Sequence, residues 1–258
     1  MSAAAIIVVA ISGKMGSGKS MLAEYITSSI GRDRAIRSSF GDAVKYAAAL
    51  IFEFSPLMAY RSEGKCSFVK GRTLTEANIA TKGKALPELT DAQFTEVVRL
   101  LVEGIKKIQN GDARKKITVG RTLQLVGEAV REVYPTYWVK AFEAKLVAEI
   151  GSRHLVVIDD LRHLTEMDWV NQHRLCIKVK IVIKQNEGDK NADPASAAAA
   201  TTEDGRDKNH VSETQLDSYG QWDYVIENDG KTFSIIQNNT EILATRIKAA
   251  LETINANN

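Results

Sequence analysis

Apolar residues recur along the chain in two rhythms. Continuous apolar runs predict strands: "AIIVVAIS" (Ala5 to Ser12), "HLVVIDD" (His154 to Asp160) and "LCIKVKIVI" (Leu175 to Ile183) as buried ones, "AIRSSF" (Ala35 to Phe40) as a weaker candidate and "YVIEND" (Tyr224 to Asp229) as a fifth. Between them, apolar residues at three- and four-residue steps predict helices. These are Ser20 to Ile30 closed by Gly31, "DAVKYAAALIFEF" capped by Asp42, Asp91 to Gln109, a pair broken at Pro135, "LTEMDWVNQH", and Thr240 to Ile254. Strand and helix alternate as in a parallel α/β sheet.

Two stretches break the rhythm. From Ser55 to Lys116 the pattern loosens into polar segments around a single amphipathic helix, which predicts a helical insertion over 55–118 within one domain spanning 1–258. Residues 185–209, rich in Ala, Asp, Gly and Lys, are too long and too polar for an ordinary connection. They read either as a solvated loop or as a closing lid from which Arg206 and Lys208 reach a phosphate.

Composition narrows the partners. The 258 residues are 44% apolar, enough for one large core, and 34 Lys and Arg nearly balance 32 Asp and Glu. That balance leaves no overall basic field for a nucleic-acid polymer, so small molecules are the expected partners. The two cysteines, Cys66 and Cys176, have neither the number nor the spacing of a disulfide framework or zinc site. With no leader-like or membrane-length apolar segment, the chain is expected in the reducing cytoplasm, away from membranes.

The first run leads directly into "GKMGSGKS", with Gly13, Gly18, Lys19 and Ser20 in the Gly-x-x-x-x-Gly-Lys-Ser spacing. Glycines let backbone N–H groups close on phosphate oxygens, Lys19 bridges the outer phosphates, and the Ser20 hydroxyl is a ligand for Mg²⁺. The cofactor-binding set is therefore Gly13, Lys14, Gly16, Ser17, Gly18, Lys19 and Ser20, with ATP as donor. A carboxylate is also wanted at a neighbouring strand end, and "IDDLRH" offers Asp159 and Asp160. Asp160 is preferred as the second metal residue, with Arg162 entering the same cleft; either carboxylate could instead cap the following helix. No Asn-Lys-x-Asp guanine signature occurs, and a GTP switch is not expected.

With these residues quoted, the chain resembles the phage- and virus-type deoxynucleoside monophosphate kinases, through "SGKMGSGKS", "SFGDAVKYA", "GRTLQLVGEAVREVYPTYWVKAF", "VVIDDLRHLTEMDWV" and "YVIENDG". The resemblance covers the core but neither Ser55 to Lys116 nor the Ala-rich loop. It implies an α/β P-loop three-layer sandwich with a five-stranded parallel sheet of order 2-3-1-4-5. It also implies transfer from ATP to a (deoxy)nucleoside monophosphate, with Lys19, Asp160, Arg162 and Arg121 as catalytic residues. Asp42, Lys45, Arg121, Gln124, Arg131, Trp138 and Arg162 would then bind the acceptor, Gln124 at its base edge, and Asn228 would flank the donor adenine. A homodimer stays open. Gly41-Asp42-Ala43 replaces the proline-containing version usual in that group. "DSYGQWDYVIENDG" also resembles the phosphomevalonate kinases, which phosphorylate a phosphate too. A non-catalytic ATP-binding protein is the remaining alternative, and an ATPase acting on a partner protein is less consistent with the lack of a docking stripe.

Overall fold

The computed structural model describes residues 6–184, 202, 205–207, 209–228 and 233–256, the last stretch with side chains over 241–253. The chain divides into two compact units: Met1–Phe40, Phe142–Pro194 and Val211–Asn258 form the first, Gly41–Ala141 and Ala195–His210 the second.

The first unit is built on a sheet of five parallel strands, β1 (Ile7–Gly13), β2 (Ala35–Ser38), β3 (Leu155–Ile158), β4 (Leu175–Ile183) and β5 (Tyr224–Asn228), in the order β2-β3-β1-β4-β5. The α/β class and the 2-3-1-4-5 order are those the resemblance implied. β1 lies at the centre, with Val9 opposite both Val157 and Ile177. Its residues Ile7, Val9 and Ile11 join Leu155, Val157, Val179 and Ile181 in a cluster with Leu22, Ala23 and Ile26 of α1 (Lys19–Ile30) and with Leu243 and Ile247 of α11 (Phe233–Ala256). Val8, Ala10, Val156 and Ile158 alternate with them, are equally buried and lie outside that cluster, so strand parity assigns them to the opposite face. On β1 and β3 this two-sided burial explains the continuous apolar runs; β4, expected to be buried as well, is only partly so, with Val182 and Ile183 exposed at its end. Phe40, Phe142 and Trp169 form a second aromatic group, with ring centroids 4.3–5.8 Å apart; Trp169 belongs to α9 (Leu164–Asn171).

The second unit has its own core. It contains α2 (Gly41–Phe52), α3 (Pro56–Tyr60), α4 (Ser62–Cys66), α5 (Glu76–Ala80), α6 (Asp91–Gln109), α7 (Val119–Val133) and the start of α8 (Tyr137–Glu149). Ile51, Phe52, Ile79, Leu86, Val97, Leu101, Val126, Val130 and Trp138 are all buried in it. The stretch that reads as loosely patterned contributes Val69, Leu74, Ile79 and Leu86 from short helices and turns, too short to show a period. Its neck is closed by backbone bonds, Val69 N–H to Ile117 O (2.9 Å) and Val119 N–H to Ser67 O (2.8 Å). α6 is bounded as its chemistry dictates: Thr90 and Gln93 form a reciprocal capping box, and Asn110 ends the helix in the left-handed region.

Trp138 corrects an expectation. Expected at the acceptor, it is 2% exposed, and its indole N–H donates to Gly127 O at 3.1 Å. It is a packing residue, because the apolar face of α8 on which it lies is turned into this core. Trp138→Phe is expected to cost about 1–2 kcal/mol, the lost hydrogen bond plus lost contact area, in a denaturant melt, with acceptor binding unchanged. Asp42 also departs from expectation. It sits inside the first turn of α2 rather than capping it, and its carboxylate accepts from Lys45 Nζ (3.0 Å) and Tyr60 Oη (3.1 Å). The Lys45 ammonium lies 4.4 Å from the centre of the Tyr60 ring.

Candidate functional site: a phosphate-binding loop and a polar helix face

In the first unit β1 delivers the chain into the Gly-rich turn. At Gly13 (φ 153°) a Cβ would stand 2.5 Å from Ile181 O and 2.6 Å from Ser17 Oγ, so β4 approaches too closely for any side chain. Gly18 adopts φ 97°, ψ 10°, and its carbonyl accepts from the N–H groups of Met21 and Leu22, starting α1. Such alternation of left- and right-handed residues at a helix start is the backbone form that gathers N–H groups around an anion.

Lys19 closes back over this turn. Its ammonium donates to Gly13 O (2.8 Å) and Lys14 O (2.7 Å), and the residue is 8% exposed. Burial, then the nearby Arg162 guanidinium, lowers its pKa from 10.5 to about 8, although Glu213, Asp159 and Asp160 pull the other way.

Next in the chain, the Ser20 hydroxyl donates to Asp159 Oδ2 at 2.9 Å. Asp159 therefore holds the place beside Ser20 for which Asp160 is preferred from the sequence. Asp160 instead accepts from Ser39 Oγ (2.5 Å) and from the Phe40 N–H (2.9 Å). The cause is strand parity: Leu155 and Val157 face α1, so Asp159 continues on the α1 side and Asp160 turns away. Neither carboxylate occupies the N-cap position of α9, which is His163; Glu166 in the first turn accepts from the N–H groups of Arg162 (2.7 Å) and His163 (3.0 Å). Arg37, a residue that the sequence pattern does not single out, donates to the same Asp159 oxygen at 2.5 Å. Its strand is short and weakly apolar, which hides its facing.

Arg162 and Lys14 both reach the segment that includes α10 (Val211–Thr214). Arg162 pairs with the Glu213 carboxylate and donates to Ser212 O at 3.1 Å, while Lys14 donates to Glu213 O and pairs with Asp217 at 2.7 Å. These groups, with Ser12, Gly13 and Lys180, line a cavity of about 480 Å³. Glu213, Asp217 and Lys180 carry no sequence signal beyond their type. Asn228, expected beside the donor adenine, is 6% exposed, and its side-chain amide donates to Ser17 O of the loop at 2.9 Å.

The second unit places Arg121, Gln124 and Arg131 on α7, which starts from a Thr118 side-chain cap. Arg121 donates to Gln124 Oε1 at 2.5 Å, so this pair does meet, one turn apart. Arg131 donates to Gly127 O at 2.9 Å, the carbonyl that also receives Trp138. Arg206 lies in a turn in which its carbonyl accepts from the Thr202 N–H at 2.8 Å. Lys208 and most of the expected lid lie outside the described residues. No helix among the described residues is long and apolar enough to cross a membrane. No protein-family model matches this chain, and no curated protein matches it either.

Proposed function

We propose that the protein transfers the γ-phosphoryl group of ATP to the phosphate of a (deoxy)nucleoside monophosphate, giving ADP and the nucleoside diphosphate. The observation that carries this reading is the conformation of Gly13 to Ser20, with Lys19 folded over the turn and Ser20 bonded to Asp159. The acceptor oxygen attacks the γ-phosphorus, and the bond to the ADP oxygen breaks in line with it. An acceptor phosphate is already anionic near neutral pH, so positioning and charge neutralisation do the work, without a strong general base.

In this reading the loop N–H groups and Lys19 hold the donor phosphates, with Lys14 and Arg162 as further cations once they exchange their carboxylate partners for phosphate. Arg121, Arg131 and Lys45 hold the acceptor, and Gln124 meets its base. Ser20 and Asp159 fit a magnesium ion. One hydroxyl and one carboxylate is the sparse share a protein gives Mg²⁺ when phosphates and water complete its shell. When bound, the ion offsets negative charge on the phosphates.

The test is a panel of ATP with each nucleoside and deoxynucleoside monophosphate and with phosphomevalonate, reading the diphosphate products. Turnover of phosphomevalonate alone would move the protein to the second group it resembles. ATP uptake without acceptor-dependent consumption would make it a binding protein.

The Lys19 ammonium gives this reading a pH signature. With its pKa lowered to about 8, kcat/KM for ATP is expected to fall as pH rises through about 8, as the free protein loses that charge. Lys19→Arg should abolish the step, because a guanidinium keeps its proton. The stability effect has the opposite sign: between about 8 and 10.5 the unfolded chain binds more protons, so stability attributable to Lys19 rises with pH.

A further inference from the structure

The second unit holds a segment of its own chain against the helix face assigned to the acceptor. Three contacts seat it along α7. At Gly205 (φ +74°) a Cβ would lie 2.8 Å from Thr118 Oγ1, the cap of the helix, so only glycine fits there. At Asp207 the backbone bonds both ends of the Gln124 amide: its N–H donates to Oε1 (2.9 Å) and its carbonyl accepts from Nε2 (3.0 Å). At His210 the ring Nε2 meets Glu128 Oε2 at 3.2 Å, and the side chain is 6% exposed. The anchors 118, 124 and 128 climb α7 while 205, 207 and 210 follow in order.

Hydrogen-bond capacity makes this arrangement exclusive. An amide oxygen has two lone pairs, and those of Gln124 are taken by the Asp207 N–H and by Arg121 Nη1. One of the two Nε2 hydrogens is also taken. Arg121 fixes which end of the amide is oxygen, so the group cannot flip to serve a second partner. While the segment is seated, Gln124 has no acceptor left and cannot make the paired donor and acceptor contact that a nucleobase edge requires.

We propose that the segment of Gly205, Asp207 and His210 is an internal competitor for the acceptor: the Asp207 backbone, with one N–H donor and one C=O acceptor, occupies the amide that a nucleobase edge must use, and acceptor binding unseats it. This rests on the nucleotide reading of Gln124. The competition taxes acceptor affinity by the fraction of time the segment is seated, so a segment seated about nine-tenths of the time weakens apparent binding about tenfold.

The test uses the full chain with Gly205→Val, which clashes with Thr118, and Asp207→Pro, which removes the N–H; both leave the Arg121 and Gln124 side chains themselves unaltered. Calorimetry with the monophosphate that the panel identifies is expected to show about tenfold tighter binding to both variants, and hydrogen exchange over 205–210 should speed up on adding it to the unaltered protein. Binding that is equal or weaker in the variants, or slower exchange on adding the acceptor, overturns the competition and leaves the kinase reading standing. If neither the unaltered protein nor the variants bind any nucleoside monophosphate, the nucleotide reading itself falls and takes the competition with it. Binding by the variants alone would be the competitor in its strongest form. Thermal melts of both variants guard against a folding defect, and the two substitutions act on different contacts, so a shared result cannot come from one misfolded protein.

Discussion

Lys19→Ala is expected to reduce phosphoryl transfer on the order of 10²–10³-fold, the usual effect of removing one preorganised charge donor from a transferring group. The ammonium spans the turn by bonding Gly13 O and Lys14 O, at the loop to which the proposed function assigns the donor phosphates. Burial disfavours its charged form, which means the native state carries this cation at a cost rather than for its own stability. The variant should therefore melt at or above the temperature of the unaltered protein while losing activity. Single-turnover kinetics beside a thermal melt separate the two effects. Turnover within a few-fold of normal would remove the loop from the mechanism, and loss of fold would assign Lys19 to structure.

That contrast bears on how much of the molecule can be read from its residues. The strands β1 and β3 are legible because they are covered on both faces, which forces uninterrupted apolar runs; β4 is only partly covered, yet begins and ends where the run "LCIKVKIVI" does. The loop is legible because its glycines answer backbone demands that no other residue meets, as the contact of Gly13 with Ile181 shows. Legibility ends where facing depends on a partner distant in sequence. Period two states that Asp159 and Asp160 point to opposite sides, but only the packing of α1 on Val157 decides which is which. An amphipathic pattern likewise marks Trp138 as one of a set without telling a core face from a binding face. The anchors Val69, Leu74, Ile79 and Leu86 sit in elements of three to five residues or in turns, too short for any period to emerge. The seat of Asp207 is legible least of all, since both its bonds to Gln124 are made by backbone, which every sequence carries.

Asp159→Asn is expected to raise the Mg²⁺ concentration needed for half-maximal ATP binding about 10–100-fold, the range seen when a group that holds or orients a metal is neutralised. The amide keeps the size of the carboxylate and one acceptor for Ser20, so the change removes charge and leaves packing in place. Asp160→Asn should behave differently. Its carboxylate serves Ser39 and the Phe40 N–H at the end of β2, and weakening those bonds should cost about 1–2 kcal/mol of stability with metal dependence unmoved. Isothermal titration of ATP at stepped Mg²⁺, paired with denaturant melts, reads both variants in one series. The reverse outcome, metal dependence shifting only in Asp160→Asn, would require the strand end to turn over on binding, because the two carboxylates point to opposite faces of the same sheet. A shift in both would mean that Ser39 and Phe40 set the position of Asp159 through its neighbour, and Ser39→Ala should then reproduce it. Ser20→Ala closes the comparison. If the hydroxyl and Asp159 hold one ion, the double substitution should shift Mg²⁺ dependence by less than the sum of the single shifts, expressed as free energies.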